Sequence, residues 1–288
     1  MTDLATATEA RVGPLLRQWR QRRRLSQLDL ALDAGVSARH LSFVETGRSK
    51  PSAQMVLHLA EQLDVPLRER NAMLLAAGYA PAYNERALDA PDMSPVREAL
   101  QLVLDGHDPH PALVVDRRWN LIAANRGLGV LLDGVAPELL EPPGNCMRIA
   151  LHPEGLAPRI ANHAEWRAHL LARLERQAAM SGDDGLEELL EEIGSYPAPR
   201  PPDDAAAARF GEPGWRAGGN AAGPPPAHDI FVPFRLHDGD GGELRFFSTV
   251  STFGTAVDIT VAELSIESFF PADAYTADAM RRQVAAAA

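Results

Sequence analysis

Only one cysteine, Cys146, occurs in the 288 residues. No disulfide can close within the chain, and a reducing cytoplasmic compartment is expected. No apolar run reaches the ~20 residues that a membrane-spanning helix needs. The first residues, Met-Thr-Asp-Leu-Ala-Thr-Ala, lack the basic-then-apolar order of a secretory signal, so no membrane association is expected. His107, His110, His152, His163 and His169 are scattered without an HExxH or other metal-ligand spacing. Neither a glycine-rich phosphate loop nor a nucleophile elbow occurs. The expectation is a chain with no metal, no catalytic residues and no enzymatic activity. Lysine is nearly absent as well: Lys50 is the single one.

What is present is length and an apolar complement. With 288 residues, 45% of them hydrophobic, the chain exceeds a typical single domain, and two domains are expected. The net charge of -11 argues against a nucleic-acid partner until it is divided along the chain. Residues 1–80 carry 11 Lys+Arg against 8 Asp+Glu, whereas the remainder carries 17 against 31. The first part is basic and the second acidic, as expected of a small DNA-contacting head on a body kept off DNA.

The stretch Leu25 to Ser52 reads as two short helices joined by a glycine turn and followed by a basic loop, the layout of a helix-turn-helix. Ahead of it, Val12, Leu15, Leu16 and Trp19 form one apolar stripe of a first helix over 12–23. Ser26 caps the second helix, placing Gln27 in its first turn, where a long amide can reach a phosphate. Ser37 caps the third helix after the Gly35 turn. Leu41 and Val44 point inward there, which leaves Ala38, Arg39, Ser42 and Phe43 on the outer face. Arg39 suits bidentate pairing with guanine, and Ala38 and Phe43 suit contact with a thymine methyl. His40 and Ser42 fit phosphate contacts or plain surface. Gly47 fits a left-handed C-cap, and Arg48 and Lys50 follow in a loop suited to the DNA backbone. Ser52 opens a fourth helix and Pro66 a fifth that runs to Gly78, completing an all-α domain over 1–80.

Gln27, Leu30, Ala31, Gly35, Val36, Ser37, Ser42, Glu45, Gly47 and Pro51 match, in order, the phage-repressor-like regulators of the XRE family, which this segment resembles. The resemblance implies a double-stranded DNA operator as partner and supports Ala38, Arg39 and Phe43 as base-reading positions. It also implies that Arg20 and Glu45 pair with each other and belong to structure.

After a proline-marked linker, 81–95, the pattern changes. A helix is expected over 96–104, then strands at 111–116 and 119–125 around the turn Asp116-Arg117-Arg118. Asn125 caps a helix with Leu128, Leu131 and Leu132. Helices follow at 145–151, after Asn162 with Glu165 as its capping-box partner, and around Leu186 to Ile193. The stretch 196–228 is rich in proline, glycine and alanine and reads as a long irregular loop. Strands at 229–236, 243–253 and 264–270 close the domain, the first two as a hairpin.

Two strands, several helices and three antiparallel strands is the order of an α+β, PAS-like domain. Val114-Val-Asp-Arg-Arg-Trp-Asn-Leu-Ile-Ala-Ala-Asn125, Asn145-Cys-Met-Arg148, Ser248 to Asp258 and Phe269-Phe-Pro-Ala-Asp273 resemble the MmyB-like regulators. That resemblance implies a ligand-binding domain over 96–288 that can hold a fatty-acid-like molecule, and a homodimer formed through it is expected because one small head contacts few base pairs. Walls for such a ligand are available from Trp119, Leu121, Leu128, Leu132, Met147, Trp166, Leu170, Phe234, Phe246, Val250 and Phe253. Arg148, His152, Arg159 and Asn162 are candidates for a carboxylate end. The same letters serve a plain core, so a body that only dimerises or docks a protein stands as the alternative reading. Gly144-Asn-Cys-Met-Arg148 partly resembles a flavin photoreceptor motif, but the later polar residues that hold the flavin ring are not evident. Apart from a bound fatty acid, no cofactor is expected.

Overall fold

The computed structural model describes residues 12–199, 232–239 and 241–287. The chain divides into two compact units. One comprises Met1–Ala90, Ala179–Ser181 and Gly254–Ala262, the other Pro91–Ala178, Gly182–Phe253 and Glu263–Ala288.

The first unit holds α1 (Val12–Arg22), α2 (Gln27–Asp33), α3 (Ala38–Glu45), α4 (Ala53–Gln62) and α5 (Leu67–Ala76). Ser26, Ser37 and Ser52 each accept a backbone N–H of the following helix, so three of the five starts are fixed by a hydroxyl. Asp29 returns a bond to the Ser26 backbone and completes a capping box at α2. Gly35, Gly47 and Gly78 have positive φ and end α2, α3 and α5. Leu16, Trp19, Leu30, Leu41, Val44, Leu59 and Met73 form one buried cluster.

Gly13 sets how closely α1 meets the end of α3. A Cβ there would stand 2.5 Å from the Glu45 carbonyl oxygen and 2.7 Å from that of Val44. Those are backbone atoms that cannot swing aside. Gly13→Ala is therefore expected to destabilise this unit by about 1–3 kcal/mol, the usual cost of overpacking, despite alanine's better helix propensity. A midpoint equal to or above wild type in urea unfolding would contradict the close approach.

The segment 81–95 is not a free linker throughout. Asn71 Oδ1 accepts the Ala82 and Tyr83 N–H groups, its Nδ2 donates to the Tyr83 carbonyl, and Arg68 pairs with Glu85. Side-chain bonds from α5 thus hold the start of this stretch, a pairing that composition alone does not reveal. The same unit includes α12 (Ile259–Ala262), where Ile259 N–H donates to the Asn84 carbonyl at 2.8 Å and Thr260 Oγ1 to the Arg86 carbonyl at 2.6 Å.

The second unit is built on a five-stranded antiparallel sheet in the order β2-β1-β5-β4-β3, from β1 (Ala112–Val115), β2 (Leu121–Ala124), β3 (Phe234–His237), β4 (Glu243–Thr252) and β5 (Ser265–Pro271). Its helices are α6 (Ser94–His107), α7 (Arg126–Leu131), α8 (Pro137–Leu140), α9 (Cys146–Leu151), α10 (His163–Ser181), α11 (Asp184–Ser195) and α13 (Ala274–Ala286). The five-strand α+β reading holds, with the closing strands running outward from β1 in the order β5, β4 and β3, the last being an edge. Trp166, Leu170 and Leu174 of α10 share a buried core with Phe234, Phe246 and Phe269 of the sheet.

Three details differ from the sequence reading. Asn162 precedes α10 but makes no capping bond; its Nδ2 donates to Glu165 Oε2 and to the Pro233 carbonyl, tying the helix start to the approach of β3. Among the described residues the third strand runs Phe234–His237, starting after Pro233, which has no N–H to offer a ladder, and residues 229–231 of the expected strand lie outside the described residues. The C-terminal α13 lies beyond the last expected strand, capped by Asp273, with Thr276, Ala279, Met280 and Val284 as its buried stripe. The expected irregular loop at 196–228 lies, from residue 200 onward, outside the described residues.

Candidate nucleic-acid interface and apolar pocket

The outer face of α3 is built as its capping dictates. Leu41 and Val44 are buried, Arg39 is exposed, and Ala38, His40, Ser42 and Phe43 are half-buried. The Arg39 guanidinium lies 5.3 Å from the Phe43 ring centroid and that of Arg48 lies 5.9 Å from it. One aromatic ring thus lies within reach of two cations, the first from the helix and the second from the loop after it. Lys50 sits 5.3 Å from the Tyr79 ring, and the Tyr79 hydroxyl donates to the Pro51 carbonyl at 2.9 Å. Ser37 is taken up by capping, its Oγ accepting His40 N–H.

Beneath this face, Arg20 Nε and Nη2 donate to the two Glu45 oxygens at 2.7 and 2.9 Å, joining α1 to the end of α3. Hydrogen bonding to Glu45, only partly opposed by burial, raises the Arg20 pKa above its ordinary value. Gln27 Nε2 donates to Glu45 Oε2 at 2.7 Å. Its amide nitrogen therefore has a partner inside the unit, in contrast to the phosphate contact read from its place in the first turn. A long polar side chain at a helix start looks alike in sequence whether it turns outward or inward.

In the second unit a cavity of about 70 Å³ lies between the inner face of the sheet, α7, α9 and α10. Trp119, Leu121, Leu128, Leu132, Met147, Trp166, Leu170 and Phe234 line it. Phe246 is fully buried but stands behind, its ring 6.3 Å from those of both Phe234 and Phe269. Val250, 44% exposed, lies outside the lining, and Phe253 follows the end of β4 without lining it. Glu267, Phe269, Cys146 and Leu156 also line the cavity. Glu267 and Phe269 share a face of β5 by the two-residue alternation of a strand, the signal that would have found them.

The candidates for a carboxylate end are placed elsewhere. Arg148 makes a two-pronged pair with Glu192 at 2.8 and 2.7 Å. His152 lies edge-on to the Tyr196 ring, and Arg159 Nη1 donates to the Leu131 and Asp133 carbonyls. With Asn162 bonded to Pro233 and Glu165, none of the four is among the residues that line the cavity.

Trp119 holds a backbone φ of 67°, a left-handed conformation costly for a bulky side chain and found mostly where the surroundings over-determine it. Those surroundings are specific. The Trp119 carbonyl accepts Cys146 N–H at 2.8 Å, its Nε1 donates to Gln177 Oε1 at 2.9 Å, and Arg173 lies 4.2 Å over its ring. Burial pushes the Cys146 thiol up to about 12, with smaller contributions from Glu267 and Asp116. It is a protonated, weakly nucleophilic thiol at neutral pH. Among the described residues no group of His, Cys, Asp and Glu is arranged to hold a metal ion, and no helix is long and apolar enough to cross a membrane.

Residues 96–282 match the model of the MmyB-like transcription regulator ligand binding domain, and residues 16–70 match a helix-turn-helix model. No curated protein matches the chain. Among solved structures the chain is similar to an RNA-binding light-oxygen-voltage receptor at 14% identity, with a TM-score of 0.26 over 98% of this chain and 65% of that one. The chain thus spans less than two thirds of that receptor's length.

Proposed function

The chain belongs to the MmyB-like transcription regulators, and on that footing we propose that it binds a two-fold DNA operator as a cytoplasmic homodimer and responds to a small apolar ligand held in the second unit. The helix-turn-helix makes it a DNA-binding regulator, and the domain over 96–282 is a ligand-binding one.

The observation that carries the reading is the exposed α3 face, where Arg39 and Arg48 flank Phe43 on a helix whose start and rear are fixed by Ser37 and by the Arg20–Glu45 pair. Arg39 reads bases, and Arg48 and Lys50 hold phosphates. Dimerisation follows from economy, since one small head contacts few base pairs and paired half-sites multiply discrimination. A ligand changes operator affinity only if it binds two arrangements of the dimer unequally. The cavity between the sheet and α10 supports an apolar ligand; at about 70 Å³ it is smaller than the ~300–1,000 Å³ usual for ligand sites, so anything larger than a short chain must part its walls.

Selection of bound duplexes from a randomised DNA pool tests the first half of this reading. Enrichment of a two-fold symmetric site is expected, and a bound pool no different from the input would contradict it. Native mass spectrometry of the purified full-length chain, followed by extraction, tests the second half through the mass of any small apolar molecule carried by the dimer.

A further inference from the structure

We propose that two copies of this chain join along the free edge of β4, the strand running antiparallel to its own counterpart across the two-fold axis. This rests on the homodimer reading and names the surface that forms the dimer.

β4 outruns its neighbour on one side. It pairs with β5 from Phe246 to Thr252, but with β3 only from Glu243 to Phe246. Val232 and Pro233 lie outside the strand, and Pro233, which the register would set opposite Phe247, has no N–H to give. Beyond Phe246, one edge of β4 therefore has no strand beside it among the described residues. The direction of its backbone groups follows from a bond near the start of the strand. Ala272 N–H donates to the Arg245 carbonyl, so Arg245 faces β5, and by alternation Phe247, Thr249 and Ser251 face it too. Ser248, Val250 and Thr252 turn their N–H and C=O groups the other way, outward. Thr249 to Thr252 are exposed.

Such an edge is usually guarded by a charge, a proline or a bulge. None guards this one. No charged residue occurs between Arg245 and Asp258, no proline interrupts 246–252, and the register with β5 is unbroken from Phe246 to Thr252. Thr249, Val250 and Thr252 are β-branched, which suits a further strand alongside. The row of outward groups is complementary to another strand, and it is complementary to itself. A two-fold axis at Val250 sets Val250 opposite Val250 of the second copy and Ser248 opposite Thr252, so that all three outward-facing residues of each copy are paired. An axis at Thr249 would bring Thr252 onto Phe246, which β3 already occupies, and one at Ser251 would set Ser248 against Gly254, past the strand end. The contact uses the same edge in both copies, so it closes as a dimer instead of propagating as a fibre. Beside it, the half-buried Phe247 and Phe270 rings stack at 5.2 Å and add apolar area that backbone pairing alone lacks.

The test is sedimentation velocity of the full-length protein, wild type against Val250→Pro, together with oxidative cross-linking of Val250→Cys and Thr249→Cys. The Val250 N–H faces away from β5, so proline leaves that ladder intact and removes one outward donor from each copy. The dimer dissociation constant is expected to rise about tenfold or more, the scale of two lost hydrogen bonds. Val250→Cys places the two thiols on directly opposite residues, within the ~4.4–6.8 Å Cα separation that a disulfide spans, whereas Thr249→Cys does not. A disulfide-linked dimer is therefore expected from the first and little from the second, and this comparison decides the matter even if the proline variant does not fold. A wild-type dimer that is unchanged by Val250→Pro, or that forms no disulfide through Val250→Cys, overturns the edge assignment while leaving the homodimer standing. A wild-type chain that stays monomeric at every concentration overturns the homodimer reading, and this inference with it.

Discussion

Glu45→Ala is expected to cost about 3–5 kcal/mol of stability, the scale for removing one partner of a buried ion pair. The side chains of Arg20 and Glu45 are 10% and 2% exposed. Glu45 accepts two bonds from Arg20 and one from Gln27. Without it the guanidinium keeps only the Leu25 carbonyl, reached at 2.8 Å, and stays largely buried with its charge unmatched. Because the pair fixes the end of α3 against α1, DNA binding is expected to fall in step with the folded fraction. Glu45→Gln keeps the shape and part of the bonding and should fall between the two. Calorimetry beside a DNA-binding titration checks this. A loss below about 1 kcal/mol, the range of exposed pairs, would show that the pair is not what holds α3.

Trp119→Ala is expected to have an effect of similar size on the second unit, about 3–5 kcal/mol, as for other buried tryptophans truncated to alanine. The indole fills a wall of the cavity, supplies the bond to Gln177 and carries Arg173 on its face. Its loss enlarges the cavity and releases Arg173 from the ring that orders it. Trp119→Phe keeps a ring but loses the N–H, and should cost about 1 kcal/mol for the bond alone, with a further packing cost for the smaller ring. Urea unfolding followed by far-ultraviolet circular dichroism measures both. An alanine variant as stable as wild type would show that the ring's contacts do not hold this wall, since alanine keeps a Cβ and leaves the cost of the left-handed backbone at 119 in place.

The first unit was legible almost throughout because its signals are local. Ser26, Ser37 and Ser52 sit one residue ahead of an apolar period, Gly35 and Gly47 stand where a left-handed residue is required, and the Arg20–Glu45 pairing came with the family resemblance. Gln27 marks the limit of such reading, since its first-turn position allows two directions and only packing against Glu45 selects one.

In the second unit, strand alternation and apolar stripes located the sheet and most of the cavity wall. Its polar features depend on contacts distant in sequence. Arg148 finds Glu192, Arg159 finds the carbonyls at the end of α7, and Asn162 finds Pro233. None of these partners is visible from the residue's own segment. Glu267 was overlooked for the opposite reason: an acidic residue within a strand reads as solvent-facing until the register sets it opposite Leu113 and Val250. α13 carries an ordinary helix signature, Asp273 followed by an apolar stripe, but it lies past the last strand of the PAS-like order.

The division of labour on the α3 face is tested most directly by titrating a selected operator, and a set of single-base variants of it, against wild type, Arg39→Ala and Lys50→Ala at several salt concentrations. Arg39→Ala is expected to flatten discrimination at one base pair per half-site by about 1–3 kcal/mol, leaving affinity for unrelated DNA little changed. Lys50→Ala is expected to weaken binding to every sequence alike and to reduce the log–log salt slope by about 1 for each head. Indistinguishable behaviour of the two variants, or an unaltered base preference in Arg39→Ala, would contradict the assignment of α3 as the element that reads the operator.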